Sequence, residues 1–167
     1  MINALAIAAL LAVPAAAPAA APPCLPRQAL ADAFVVMSPY VVRAARENCT
    51  AHLPADAFLI SRGEALATRL QGEGAGLEGS AFVALDAFSE GKIPKIKEKA
   101  AMIKVMGGMI ETMLEGKLSP QACAEASRML EALSPLPGRN LGLAMASLMA
   151  LSKVGADGKG PRVCENG

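Results

Sequence analysis

The sequence has few of the side chains on which most enzymes and nucleic-acid-binding proteins depend. It contains no tryptophan, one tyrosine (Tyr40) and one histidine (His52). Sixteen basic residues balance fifteen acidic ones and give a formal net charge of +1, so no excess of positive charge is available to attract nucleic acid. Most aromatic platforms and most histidine-based chemistry are thereby excluded. We expect a non-catalytic protein with no cofactor and no nucleic-acid partner.

The N-terminal segment is typical of a secretory signal. Residues 1–23 carry no charge, and Ala4–Val13 form a ten-residue apolar run. Such a run is half of the roughly 20 residues that a membrane-spanning helix requires, but it has the length of a signal-peptide core. Ala17-Pro18-Ala19 then supplies the small residues that signal peptidase recognises. We predict a signal peptide over 1–19 and a single helical domain over 20–167.

An uncleaved membrane anchor is the alternative interpretation of this segment. Four prolines fit a spanning helix badly; they are Pro14, Pro18, Pro22 and Pro23. We therefore expect a periplasmic or secreted protein without a stable membrane span after cleavage.

The chain has four cysteines, and no two of them have the C-x-x-C spacing of thiol oxidoreductases and zinc ribbons. An even number of cysteines in an exported chain predicts two disulfides, formed by Cys24, Cys49, Cys123 and Cys164. Zinc binding by Cys49 and His52, a C-x-x-H pair, requires reduced cysteines and is the less favoured alternative.

Helical periodicity and helix-boundary signals recur along the chain, whereas strand signals are nearly absent. The sequence predicts an all-α, disulfide-stabilised bundle of about five to seven helices. The expected helices run from Arg27 to Asn48 with a break at Ser38-Pro39, from Pro54 to Gln71, from Ser80 to Ser89, from Pro94 to Gly116, from Ser119-Pro120 to Leu133, and from Asn140 to Val154. Gly72–Gly79 is the expected flexible connector.

The cysteine pairing can be predicted from helix order. A short connection between the last two helices favours antiparallel packing, which would set Cys123 beside the C-terminal tail and pair it with Cys164. Cys24 would then pair with Cys49 by elimination. An unbroken helix between these two would separate them by about 30 Å, so this pairing requires the chain to fold back at Ser38-Pro39.

The helix at 94–116 carries two apolar stripes, and we expect it to be both the longest helix and the centre of the bundle. One stripe contains Gly107, where a neighbouring helix could approach closely. The second consists of Met102, Met106, Met109 and Met113. Methionine most often fills gaps in a core. Thioether sulfur also suits Cu(I), and flexible methionines can line an apolar pocket.

The last helix is apolar nearly all round over 141–151 and is too short to cross a bilayer. We expect it and the methionine-bearing helix to form a contact surface. The leading hypothesis is therefore an exported module that binds a protein partner or a small apolar molecule. Cu(I) binding through the four methionines is the alternative.

Overall fold

The computed structural model describes residues 24–93, 98–152 and 161–164, and these ranges contain seven helices and no strand. The predicted all-α, disulfide-stabilised bundle is confirmed. The helices are α1 (Arg27–Cys49), α2 (Phe58–Ser61), α3 (Gly63–Glu73), α4 (Glu78–Phe88), α5 (Lys99–Leu114), α6 (Pro120–Leu133) and α7 (Gly138–Leu151).

The central element of the bundle is α1, which contacts all six other helices. Its N-terminal half forms one buried cluster with α4, α5 and α7, and its C-terminal half forms a second with α2, α3 and α6. Within the part of α5 that is described, only Ile103 and Gly107 are buried. The prediction that the 94–116 helix is longest and central is therefore wrong: α1 has 23 residues and α5 has 16.

Helix α1 continues through Ser38-Pro39, where the sequence predicts a break. Proline in a helix interior removes one backbone hydrogen bond and costs about 3 kcal/mol or more. Here Pro39 is fully buried, and the hydroxyl of Ser38 donates a hydrogen bond to the carbonyl oxygen of Phe34. Burial among the surrounding helices offsets the local cost, so tertiary packing overrides the local signal.

All four cysteines form disulfides, but the predicted pairing is wrong. The bonds are Cys24–Cys164 and Cys49–Cys123. Helix α1 is unbroken and about 35 Å long. Cys24 lies before its first residue and Cys49 is its last residue, so the helix holds the two cysteines too far apart to bond. The segment before α1 instead pairs with the chain end, where the Leu25 N–H donates to the Arg162 carbonyl at 2.7 Å.

The expected antiparallel packing of the last two helices is also absent from the described residues. Helix α6 packs on α2 and on the C-terminal end of α1, to which the Cys49–Cys123 bond ties it. Helix α7 packs on the other half of α1, where Gly142 lies against Ala31. The two helices thus follow each other along α1.

Three small residues at four-residue spacing bring α7 close to α1. Gly138, Gly142 and Ala146 are all buried. A Cβ added at Gly142 would lie 2.4 Å from the carbonyl oxygen of Ala31, so only glycine permits this backbone approach. The sequence analysis did not identify this contact.

The predicted helix boundaries match the observed ones best where a nearby side chain caps the helix. Ser119 caps α6 by accepting a hydrogen bond from the Ala122 N–H at 3.2 Å, as predicted, and α6 ends at Leu133. The predicted 54–71 helix is divided into α2 and α3 at Arg62. The Gly72–Gly79 connector is shorter than expected because α3 ends at Glu73 and α4 begins at Glu78.

Some predictions fall outside the described residues. The signal peptide over 1–19 lies there, as do residues 94–97 of the expected long helix and residues 153–154 of the expected last one. Among the helices that are described, none has both the length and the hydropathy needed to cross a bilayer.

Candidate functional site: two apolar helix faces

The four methionines of α5 lie at the edge of the core. Met102 and Met106 are half-buried, and Met106 packs against the cluster around the N-terminal half of α1. Met109 is 60% exposed and Met113 is 63% exposed. The stripe is thus partly core packing and partly surface.

Val105 extends the methionine stripe outward and is itself 60% exposed. At 100° per residue, it falls within about 100° of arc with the four methionines. We call this set the α5 face: Met102, Val105, Met106, Met109 and Met113. No charged residue of α5 lies within that arc. The face is therefore an apolar surface, whereas the charged residues of α5 lie elsewhere on the helix.

The two adjacent glycines of α5 have different surroundings. A Cβ added at Gly107 would lie 2.2 Å from Cδ1 of the Tyr40 ring, whereas one added at Gly108 would meet no atom within 4 Å. Gly107 therefore allows the close helix approach that the sequence predicts, between α5 and α1. Close packing does not explain Gly108.

Helix α7 carries a second exposed apolar surface. Met145 is 37% exposed, Leu148 is 59% exposed and Leu151 is 78% exposed. We call these three residues the α7 face. Helix α7 packs on α1 and α3, and its Met149, like Met106 of α5, is partly buried against the cluster around the N-terminal half of α1.

The Cys49-x-x-His52 pair cannot bind zinc because Cys49 is bonded to Cys123 and is fully buried. His52 lies in an exposed turn, where its backbone N–H donates a hydrogen bond to the backbone carbonyl oxygen of Cys49 at 2.9 Å. No cluster of three or more His, Cys, Asp or Glu side chains suited to a metal ion occurs in 24–93, 98–152 or 161–164.

An open groove of about 660 Å³ lies between the 53–62 segment and α6. Its charged side chains have both signs, with Asp56 and Glu131 beside Arg62 and Arg128. Within it, the buried Ser127 hydroxyl accepts a hydrogen bond from the Leu59 N–H at 3.1 Å. This hydroxyl thus has a structural partner.

Two smaller grooves flank α5. One, of about 350 Å³, is lined by Glu47, Glu111 and Glu115 together with polar residues. The other, of about 110 Å³, lies beside Tyr40 and Ile103. No methionine lines any of the three grooves, so they give no support to a methionine-lined pocket for an apolar ligand.

A surface ion pair follows α4. The Lys92 ammonium donates a hydrogen bond to Glu90 at 2.5 Å and lowers the pKa of that carboxyl. Both side chains are well exposed, and the pair belongs to the turn that ends the helix.

Comparison of the chain with protein-family models, with curated proteins and with solved structures finds no match.

The sequence predicted the methionine stripe and the last helix as a contact surface, but not which of their residues are exposed. Val105, Leu148 and Leu151 were not singled out. Their signal was present, since each occupies an apolar position on the side of its helix away from the buried residues, but recognising it requires knowing which side faces α1.

Proposed function

We propose that the protein is exported and acts without catalysis as a protein-interaction module, with the α5 and α7 faces as its contact surfaces. The observation that carries the proposal is the exposure of six large apolar side chains on two helices, at positions where soluble proteins usually carry polar residues. They are Val105, Met109, Met113, Met145, Leu148 and Leu151.

A protein partner fits these surfaces better than a small apolar molecule. Both faces are convex helix surfaces, whereas apolar ligands bind in concave pockets that bury most of their area. The two larger grooves carry several charged side chains, and the third, although partly lined by apolar residues such as Val36 and Ile103, has a volume of only about 110 Å³, so the grooves offer little to a lipid. Large, flexible methionine side chains are also common at surfaces that bind other helices.

Export agrees with the cysteine chemistry. All four cysteines are paired, and disulfides persist in oxidising compartments such as the periplasm. Fractionation of the producing cells should recover the chain outside the cytoplasm, with a mature mass that begins at Ala20. Recovery of uncleaved chain from the cytoplasm would contradict export.

Affinity capture with matched variants tests the interaction. Met109→Glu introduces a charge into the α5 face, Met109→Leu keeps it apolar, and Lys104→Glu changes an exposed residue on the opposite side of α5. The wild type, Met109→Leu and Lys104→Glu should retain the same bound protein, and Met109→Glu should lose it. Retention by Met109→Glu, and by Leu148→Glu on the α7 face, would contradict the proposal.

Cu(I) binding is a second candidate because Met109 and Met113 lie one turn apart and both side chains are exposed. Replacing both with leucine removes the sulfur but keeps the apolar surface. A copper protein would bind Cu(I) stoichiometrically in native mass spectrometry and lose it in this double variant. A protein that takes up no Cu(I) contradicts the candidate.

A further inference from the structure

We propose that a second copy of this chain covers the α5 face, so that two α5 helices pack antiparallel about a twofold axis near the Gly107–Gly108 step. This inference rests on the proposed function, because it names the partner of one of the two faces.

The four methionines of the α5 face are spaced symmetrically about their own midpoint, whereas Val105 has no counterpart on the face. Met102 and Met113 lie equally far from the Gly107–Gly108 step, and so do Met106 and Met109. Their alternating four- and three-residue spacing is that of the a and d positions in a coiled-coil seam. In an antiparallel pair, Met102 of each copy therefore meets the partner's Met113, and Met106 meets the partner's Met109.

The charges at the ends of the seam favour the antiparallel orientation. Glu98 immediately precedes α5 and Lys117 follows its last residue by three positions, and both are exposed. An antiparallel pair brings Glu98 of each copy near the partner's Lys117, whereas a parallel pair would set like charges together. The ammonium of the adjacent Lys99 is directed toward α4 instead, where its Nζ lies 5.7 Å from the centroid of the Phe82 ring.

The size of the seam determines the strength of the dimer. With 16 residues, α5 is about 24 Å long. An interface one helix wide and of this length buries less than the roughly 800 Å² per copy of a standard complex. We therefore expect a reversible dimer that dissociates on dilution.

Sedimentation velocity over a range of concentrations tests the dimer, with the mature protein and both disulfides intact. The wild type, Met109→Leu and Lys104→Glu should share one dissociation constant. Met109→Glu should weaken the dimer by more than about a hundredfold, because it buries a charge without a partner. Far-UV circular dichroism shows whether each variant remains helical.

Charge reversal tests the orientation. Glu98→Lys alone and Lys117→Glu alone should each weaken the dimer by roughly tenfold, and the double variant should regain wild-type affinity. A dimer that the double reversal does not restore overturns the antiparallel arrangement. A wild type that stays monomeric overturns the dimer; if Met109→Glu still abolishes capture of another protein, the proposed function stands without it.

Discussion

Replacing Gly107 with alanine should destabilise the protein, whereas the same change at Gly108 should stabilise it. Both glycines lie inside α5, and in a helix interior alanine is more favourable than glycine by about 1 kcal/mol in helix propensity. Only Gly107 faces another helix: its added Cβ would lie 2.2 Å from Cδ1 and 2.4 Å from Cγ of Tyr40. The two substitutions thus have the same helix propensity gain and differ in packing.

The size of the Gly107→Ala effect follows from the steric clash between the added Cβ and the Tyr40 ring. Carbon atoms in contact are ordinarily about 3.5–4.0 Å apart, so the Tyr40 ring or α5 itself must shift by more than about 1 Å. Because Cγ is attached to Cβ of Tyr40, a small rotation of the ring does not relieve the clash. Overpacking of this kind costs about 1–3 kcal/mol. Net of helix propensity, we expect Gly107→Ala to lower the free energy of unfolding by up to about 2 kcal/mol.

Urea unfolding followed by far-UV circular dichroism, with the disulfides intact, measures both variants. Tyr40 is the only tyrosine and the chain has no tryptophan, so tyrosine fluorescence reports directly on the α1–α5 contact. In a Tyr40→Ala background, Gly107→Ala should become stabilising, as expected for a specific coupling between the two residues. Equal stability of the Gly107→Ala and Gly108→Ala variants would refute the reasoning.

Three further predictions concern the rest of the fold. Gly142→Val should lower the free energy of unfolding by about 3 kcal/mol or more, because its side chain meets the backbone of α1; a thermal melt near that of the wild type would contradict this. Ser119→Ala should cost about 1 kcal/mol through loss of the α6 cap, measured by urea unfolding, and an unchanged midpoint would count against the cap. A small dithiol should reduce Cys24–Cys164, in which Cys24 is exposed, before the fully buried Cys49–Cys123. Alkylation and mass mapping give the order, and the reverse order would contradict the burial argument.

Local signals predicted the parts of the fold that local interactions determine. The Ser119-Pro120 boundary of α6 could be recognised because the cap hydrogen bond forms within four residues. Pro39 is the opposite case, since its signal for a helix break is local while the packing that overrides it comes from distant helices. The pairing error came from the antiparallel packing expected of the last two helices, and the Cys24–Cys49 bond that it left by elimination required the break that α1 does not have.

At the candidate site, too, local sequence signals predicted one part and packing by distant helices determines the other. Helical periodicity placed the four methionines on one stripe, but exposure depends on which neighbours cover that stripe. Helix α1 and its core cluster partly cover Met106 and leave Met109 exposed. The small residues at Gly138 and Gly142 went unnoticed because their role depends on α1, which lies about 100 residues earlier in the chain.

Photo-crosslinking in the cells that produce the protein tests the central claim most directly. A photoreactive amino acid at position 109 or 148 lies on one of the two apolar faces, and one at position 104 lies on the opposite side of α5. We predict discrete protein adducts from positions 109 and 148 and none from position 104. Absence of adducts at all three positions, or equal adducts from position 104, would contradict the assignment of these faces as contact surfaces.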